Sequence, residues 1–261
     1  MKSTENTNKI LANKKALIVG IANENSIAYG CARAFSQLGA EVAITYLNDK
    51  AKPYVQPLAQ QLEASLFIPL DVTKPEEMES CFSQIAKEWG NFDILVHSIA
   101  WAPKDDLQGG LLASTNEGFQ KAMDISCHSF VRMARYSVSL MPKGGSLFAM
   151  SYHGAQKVIP NYNVMGPVKA ALEACCRYLS YELGDKKIRV HPISPGPLKT
   201  RAASGLKDFD QLLRDAKHRS PAHELIDIDD VGYACAYLAT EQARHITGGT
   251  FYVDAGYHIM G

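Results

Sequence analysis

The sequence predicts an α/β fold: a single doubly wound Rossmann-type domain, its parallel seven-stranded sheet carrying helices on both faces. Three observations carry that expectation. Short runs that are apolar nearly throughout recur along the chain, as strands covered on both faces require. Amphipathic helical stretches lie between them, and a βαβα alternation implies parallel strands joined by right-handed crossovers. No low-complexity linker, repeat or composition shift marks a second domain, and 261 residues fit one large core.

The first strand is KALIVG (15–20). The helix after it, SIAYGCARAFSQLG (26–39), lines up Ile27, Cys31, Ala34, Phe35 and Leu38 on one stripe, with Gly39 where a C-terminal cap belongs. EVAITY (41–46) and SLFIPL (65–70) are the next two strands. A helix over 75–89 leads to the strand DILVHS (93–98), and a helix over 115–140 leads to GSLFAM (145–150). One over 160–183 leads to IRVHPI (188–193), and one over 229–239 to TFYVD (250–254). The stretch 195–223 breaks the alternation: it is long, polar and charged, which suits a substrate-binding lid on a single domain spanning 1–261.

Charge and composition narrow the function. Lys plus Arg (27) balances Asp plus Glu (27), so no basic excess points to nucleic acid or an anionic membrane. The N-terminus is polar and no apolar run approaches a membrane span, which implies a soluble, cytoplasmic protein. Cys31, Cys81, Cys127, Cys175, Cys176 and Cys235 form no C-x-x-C pair and read as free, mostly buried thiols of a reducing compartment. The eight histidines show no metal-ligand spacing, and none is assigned to a metal. His97 and His191 lie in strands and are expected to be packed neutral; His153 is expected at a pocket mouth.

In a doubly wound sheet, ligands bind beyond the carboxyl ends of the strands, where a helix N-terminus attracts phosphate. Gly20 closes the first strand and allows a tight turn. Ser26 is placed to cap the first helix and to offer a hydroxyl to a phosphate, and Gly30 to let that helix approach the sheet. The strict G-x-G-x-x-G pattern is absent. Asp71 ends the third strand, where its carboxylate suits an adenine amino group or a turn before Thr73. No arginine stands at Leu47 or Asn48 to receive a 2′-phosphate, which favours NAD over NADP, with Lys50 nearby.

The densest chemistry is Ser151-Tyr152-His153 followed by IPNYNVMGPVKAALEA. Tyr162 and Lys169 are seven apart, a spacing that returns to within about 20° of one helical face. A lysine there would favour the phenolate while reaching a ribose hydroxyl. With Tyr152 at the preceding strand end, the three form a proton-donating, oxyanion-stabilising set.

GIANENSIAYG, HSIAWAP, SYHGAQKVIPNYNVMGPVKAALEA, SPGPLKTRAASGLKDF and DVGYACAYLATEQARHITGGTFYVDAGY together resemble the bacterial enoyl-acyl-carrier-protein reductases, divergent short-chain dehydrogenase/reductases. The resemblance runs from Leu11 to the end of the chain. Ordinary members of that superfamily carry the lysine four residues after the tyrosine, where this chain has Gly166.

The resemblance implies NADH-dependent reduction of a trans-2-enoyl thioester held on acyl carrier protein, by a homotetramer. Tyr162 would hydrogen-bond the thioester carbonyl, Lys169 would hold the nicotinamide ribose, and Tyr152 and Ala102 would line the acyl pocket. Gly20, Ser26, Ile27, Leu47, Asp71, Val72 and Ile99 would contact the cofactor, with Leu198, Lys199, Thr200, Arg201 and Ala202 running past it. Lys199, Arg201 and Lys207 in the lid would attract an acidic carrier protein. Three positions depart from the best-known members: Leu47 for a glutamine, Ala100 for a glycine and Pro195 for an alanine. Two competing expectations are a ketoreductase, disfavoured by Gly166, and a silent nucleotide-binding module, disfavoured by the intact Tyr152, Tyr162 and Lys169.

Overall fold

The computed structural model describes residues 9–200 and 208–260. Seven strands, β1 (Lys15–Val19), β2 (Glu41–Tyr46), β3 (Leu66–Pro69), β4 (Ile94–His97), β5 (Gly145–Met150), β6 (Ile188–Pro195) and β7 (Phe251–Val253), form one sheet in the order β3-β2-β1-β4-β5-β6-β7. Every pairing is parallel. Leu17 faces Ala43 on one side and Leu95 on the other. The chain steps outward from β1 through β2 to β3, then returns to lay β4 on the opposite side of β1. The crevice between the carboxyl ends of β1 and β4 is therefore the topological switch point, where such sheets bind ligands.

The helices among the described residues are α1 (Ile27–Gln37), α2 (Lys52–Gln61), α3 (Pro75–Trp89), α4 (Lys104–Gln108), α5 (Asn116–Met123), α6 (Ser129–Leu140), α7 (Met165–Leu183), α8 (Phe209–Arg219) and α9 (Ile228–Ala239). Alternate residues of β1 feed two cores, because successive strand side chains point to opposite faces. Ala16 and Ile18 pack with Phe35 of α1, Val55 of α2 and Val231 of α9. Leu17 and Val19 pack with Phe82 and Ile85 of α3, Phe130 of α6 and Leu172 of α7. Each such fully buried Leu, Ile or Phe contributes about 1.5–3 kcal/mol by leaving water.

Five differences from the sequence reading stand out. The helix expected over 115–140 is α5, a π turn at Asp124–His128, and α6. The helix expected from 160 starts at Met165, because Asn161 and Asn163 take left-handed backbone at φ 64 and 44. Pro167 thereby falls in the first turn of α7, where a backbone N–H has no intrahelical partner to lose. Gly30 serves α9 rather than the sheet: a Cβ on it would sit 2.1 Å from the Ile228 carbonyl oxygen. The Arg33–Asp229 ion pair ties the same two helices together, its Nε–Oδ1 hydrogen bond 2.8 Å long. Finally, α2 forms despite Pro53 and Pro57, anchored by buried Val55 and Ala59, and α8 forms inside the expected lid, burying Leu213 and Ala216. Among the described residues no helix is long and apolar enough to cross a membrane.

Candidate active site

At the switch point, Gly20 has φ +112, and a Cβ there would lie 2.1 Å from the Ser98 carbonyl oxygen just past β4. Both the conformation and the contact demand glycine, so the floor of the crevice is bare backbone. Ser26 takes the N-cap position of α1, but its side chain does not cap the helix. Its hydroxyl instead accepts from the N–H groups of Ala22 and Asn23, at 3.0 and 3.1 Å, and shapes the loop. The N–H groups of Ile27 and Ala28 open α1 ahead of its first backbone bonds, which run from Tyr29 and Gly30 to the Ser26 carbonyl at 2.9 and 3.2 Å, and the positive end of the helix dipole stands at the carboxyl rim.

The rim continues through the other strand ends. Asp71 folds onto its own turn, accepting from the N–H and hydroxyl of Thr73 at 2.9 and 2.7 Å, while its N–H donates to Glu77. Arg132 on α6 donates 2.8 Å to the Val72 carbonyl and pairs with Asp124 of the π turn, clamping this strand end. Leu47, just past β2, is half exposed. Ile99 and Ala102 lie partly buried against the core below α7. Leu198 is buried; Lys199 is exposed and lies 3.6 Å from Asp210. Thr200 donates its N–H to the Leu198 carbonyl at 2.7 Å. Arg201, Ala202 and Lys207 lie outside the described residues. A cleft of about 490 Å³, lined by Thr73, Trp101, Gln120, Lys121, Asp124 and Ile125, opens beside the β3 end.

The two tyrosines meet. The rings of Tyr152 and Tyr162 are 4.9 Å apart, edge to face at 60°. Tyr162 does not share a helical face with Lys169, as its spacing suggested. It sits in the left-handed turn before α7, with Asn163 donating 2.5 Å to the Leu107 carbonyl. Its ring crosses Gly154, where a Cβ would come within 2.4 Å of it. Lys169 is buried on α7 and donates 2.6 Å to the carbonyl of Met150, the last residue of β5. The pull of Lys169 toward the phenolate is not what sets the Tyr162 phenol. Burial and the neighbouring Tyr152 push the Tyr162 phenol up, so it is a neutral donor. Burial likewise pushes Tyr152 up, and its buried hydroxyl has no protein partner.

Burial pulls the Lys169 ammonium down to about 8, opposed by Cys127, Cys176 and Glu173. Glu173, one turn after Lys169 and equally buried, accepts from Ser151 Oγ at 2.6 Å and from Gln156 Nε2 at 3.2 Å. It fixes the backbone on which Tyr152 stands. Sequence reading passed over Glu173 and Arg132; the four-residue step from Lys169 to Glu173 on one helix face was the available signal.

His97 is held neutral, as expected, since burial takes its imidazole down to about 3. Its Nε2 donates to Ser129 Oγ at 2.7 Å, because that hydroxyl is itself spent on the Ile125 carbonyl. Burial does the same to His191, which stacks on Phe148. His153 is not exposed at a pocket mouth. It is buried edge-on to Tyr252 and Tyr257.

The rim fits a dinucleotide: a side-chain-free floor at Gly20, a helix N-terminus beside it, and a buried lysine with an unpartnered tyrosine hydroxyl further along. Comparison with known proteins agrees with that chemistry. A family model described as "Enoyl-(Acyl carrier protein) reductase" matches residues 20–258. The chain is 42% identical over 252 residues to "Enoyl-[acyl-carrier-protein] reductase [NADH] 1" of Rhizobium meliloti, covering 97% of this chain and 93% of the relative. A crystal structure of the Anaplasma phagocytophilum reductase in complex with NAD superposes with TM-score 0.93 at 44% identity, over 97% of this chain and 96% of the other. The Bacillus cereus reductase, solved with NADP+ and an indole naphthyridinone, superposes with TM-score 0.94 at 39% identity, over 97% and 99%.

Proposed function

The chain belongs to the enoyl-(acyl carrier protein) reductase family, and from that premise we propose how its residues divide the reduction it performs. It is an oxidoreductase of fatty acid elongation that reduces the carbon–carbon double bond of a trans-2-enoyl-acyl-carrier-protein thioester with NADH. The bound cofactor supplies a hydride to Cβ.

Tyr162 donates its phenolic hydrogen to the thioester carbonyl oxygen and stabilises the enolate as charge builds there. The raised affinity of the phenol for its proton suits this role, because a donor must stay protonated throughout. Tyr152 holds the Tyr162 ring in place and, with Ala102, lines the acyl pocket. Lys169 spends one of its three N–H donors on Met150 and offers the others to the nicotinamide ribose.

Gly20, Ser26 and Ile27 hold the pyrophosphate; Leu47, Asp71 and Val72 frame the adenosine; Ile99 supports the nicotinamide side. Leu198, Lys199, Thr200, Arg201 and Ala202 pass the cofactor at the root of a lid over 195–223. Lys199, Arg201 and Lys207 draw the acidic carrier protein to that lid. The enzyme works as a cytoplasmic homotetramer.

One observation carries the reading: the neutral Tyr152–Tyr162 pair stands beside the β5 end that Lys169 grips, on the same rim as the bare Gly20 floor. The test follows reduced-nicotinamide absorbance with a trans-2-enoyl thioester and a 3-ketoacyl thioester, each with NADH and NADPH. Oxidation of NADH with the enoyl substrate is expected. Turnover of the ketoacyl thioester instead would make the protein a ketoreductase, and binding without turnover would make it a silent nucleotide module.

A further inference from the structure

The π turn does more than interrupt a helix. By adding one residue to the turn, it sets the side chains of Asp124–His128 out of step with α5 and α6. Cys127, the fourth residue of that turn, faces α7, where Cys175 lies. The two sulfurs are 3.8 Å apart, a thiol–thiol contact. Cys127 is buried, whereas Cys175 is half-buried. A second thiol pair, Cys31 and Cys235 between α1 and α9, offers a contrast. Both of its members are wholly buried, out of a peroxide's reach, and burial pushes the Cys235 thiol up.

We propose that Cys127 and Cys175 are a redox-active dithiol, a modification site that a hydroperoxide closes into an intramolecular disulfide. The sulfurs already touch, so closing from 3.8 Å to a bond of about 2.05 Å needs only a small shift of the turn or of α7. Exposure selects the attacking group: Cys175 is half-buried and Cys127 buried. Either sulfur can donate in the contact, and the pairing draws the Cys175 thiol down and, with burial, pushes Cys127 up. Cys175 is thus the sulfur that is both reachable and able to ionise.

The chemistry balances in two steps. The Cys175 thiolate attacks one peroxide oxygen, the O–O bond breaks, and Cys175 becomes a sulfenic acid while the other oxygen leaves as water after taking a proton. The Cys127 sulfur then attacks the sulfenic sulfur, the S–O bond breaks, and the hydroxide leaves with the Cys127 proton as a second water. Both sulfurs are oxidised and the peroxide is reduced. Cys176, next in sequence, is buried and held protonated by that burial, and a bridge between adjacent helical residues would be strained. It is not a partner.

This inference does not rest on the reductase reading, because its test reads mass rather than turnover. The full-length protein is treated with hydrogen peroxide, alkylated, digested without reductant and analysed by tandem mass spectrometry. The expected result is a linked peptide pair, lighter by two hydrogens, with fragments placing the bond at Cys127 and Cys175, and its disappearance after dithiothreitol. Cys175→Ala, at the half-buried position, should abolish the linked pair without unfolding the chain. Cys127→Ala should instead leave a sulfenic acid at Cys175 that dimedone traps. A bond to Cys176, a bond between two copies of the chain, or six unmodified thiols at a peroxide dose that oxidises exposed methionines would overturn the proposal.

Discussion

Lys169 is a buried ammonium whose ordinary pKa of 10.5 is brought down to about 8 in the fold, first by loss of hydration. In the cofactor-free protein that burial costs stability, and the cost depends on pH with a definite sign. The folded value lies below the unfolded one. Between them, the unfolded chain binds more protons than the folded chain, so stability rises with pH. Below about pH 8 the full cost is present and flat; above about 10.5 it is gone. A gap of that size corresponds to about 3 kcal/mol.

Lys169→Met keeps the length of the side chain and removes the charge. It also removes the hydrogen bond to the Met150 carbonyl, worth about 1 kcal/mol, which the neutral amine still donates above about pH 8. Urea unfolding of both proteins at one fixed concentration, at about pH 7 and about pH 10, isolates the charge, since groups common to both cancel. The variant should gain on the parent at pH 7, and that advantage should shrink by about 2–3 kcal/mol at pH 10. A stability difference that is the same at both pH values would refute the claim that Lys169 is buried as a charged group.

Two further outcomes follow from the packing. Gly30→Ala places a methyl group against the Ile228 carbonyl, 2.1 Å from its oxygen. It should cost about 1–3 kcal/mol in unfolding free energy by prising α1 from α9, while kcat of the folded fraction stays at the parent value. Tyr152→Phe deletes a buried hydroxyl with no protein partner. It should leave thermal stability unchanged or raise it by up to about 1 kcal/mol, and a clear fall in Tm would show that the hydroxyl is satisfied.

Strand periodicity made the sheet legible, because all seven of its strands are apolar enough to be recognised alone, and the α3 boundaries at Pro75 and Trp89 came directly from the amphipathic stripe. The misreadings share a physical cause. Local sequence does not reveal where the backbone turns left-handed, so Asn161 and Asn163 were placed in a helix and Tyr162 was given a helical relation to Lys169 that it lacks. Nor does it reveal what a glycine faces: Gly30 packs on a helix some two hundred residues later in the chain. The two prolines of α2 argue against a helix locally, and tertiary burial of Val55 and Ala59 overrides them. Residue types gave Tyr152, Tyr162 and Lys169 their chemistry; only the fold shows that Lys169 grips β5 and that Glu173 steadies the backbone beneath Tyr152.

The central claim is that the neutral Tyr162 phenol donates to the developing enolate oxygen. Tyr162→Phe removes that donor and keeps the ring packed on Tyr152 and Gly154. Steady-state kinetics with NADH and a trans-2-enoyl thioester, alongside NADH binding by fluorescence, test it directly. Loss of one oxyanion donor should lower kcat by about 10²–10³-fold, with the affinity for NADH unchanged. A variant that turns over at the parent rate, or one that loses NADH binding in step with its activity, would contradict it.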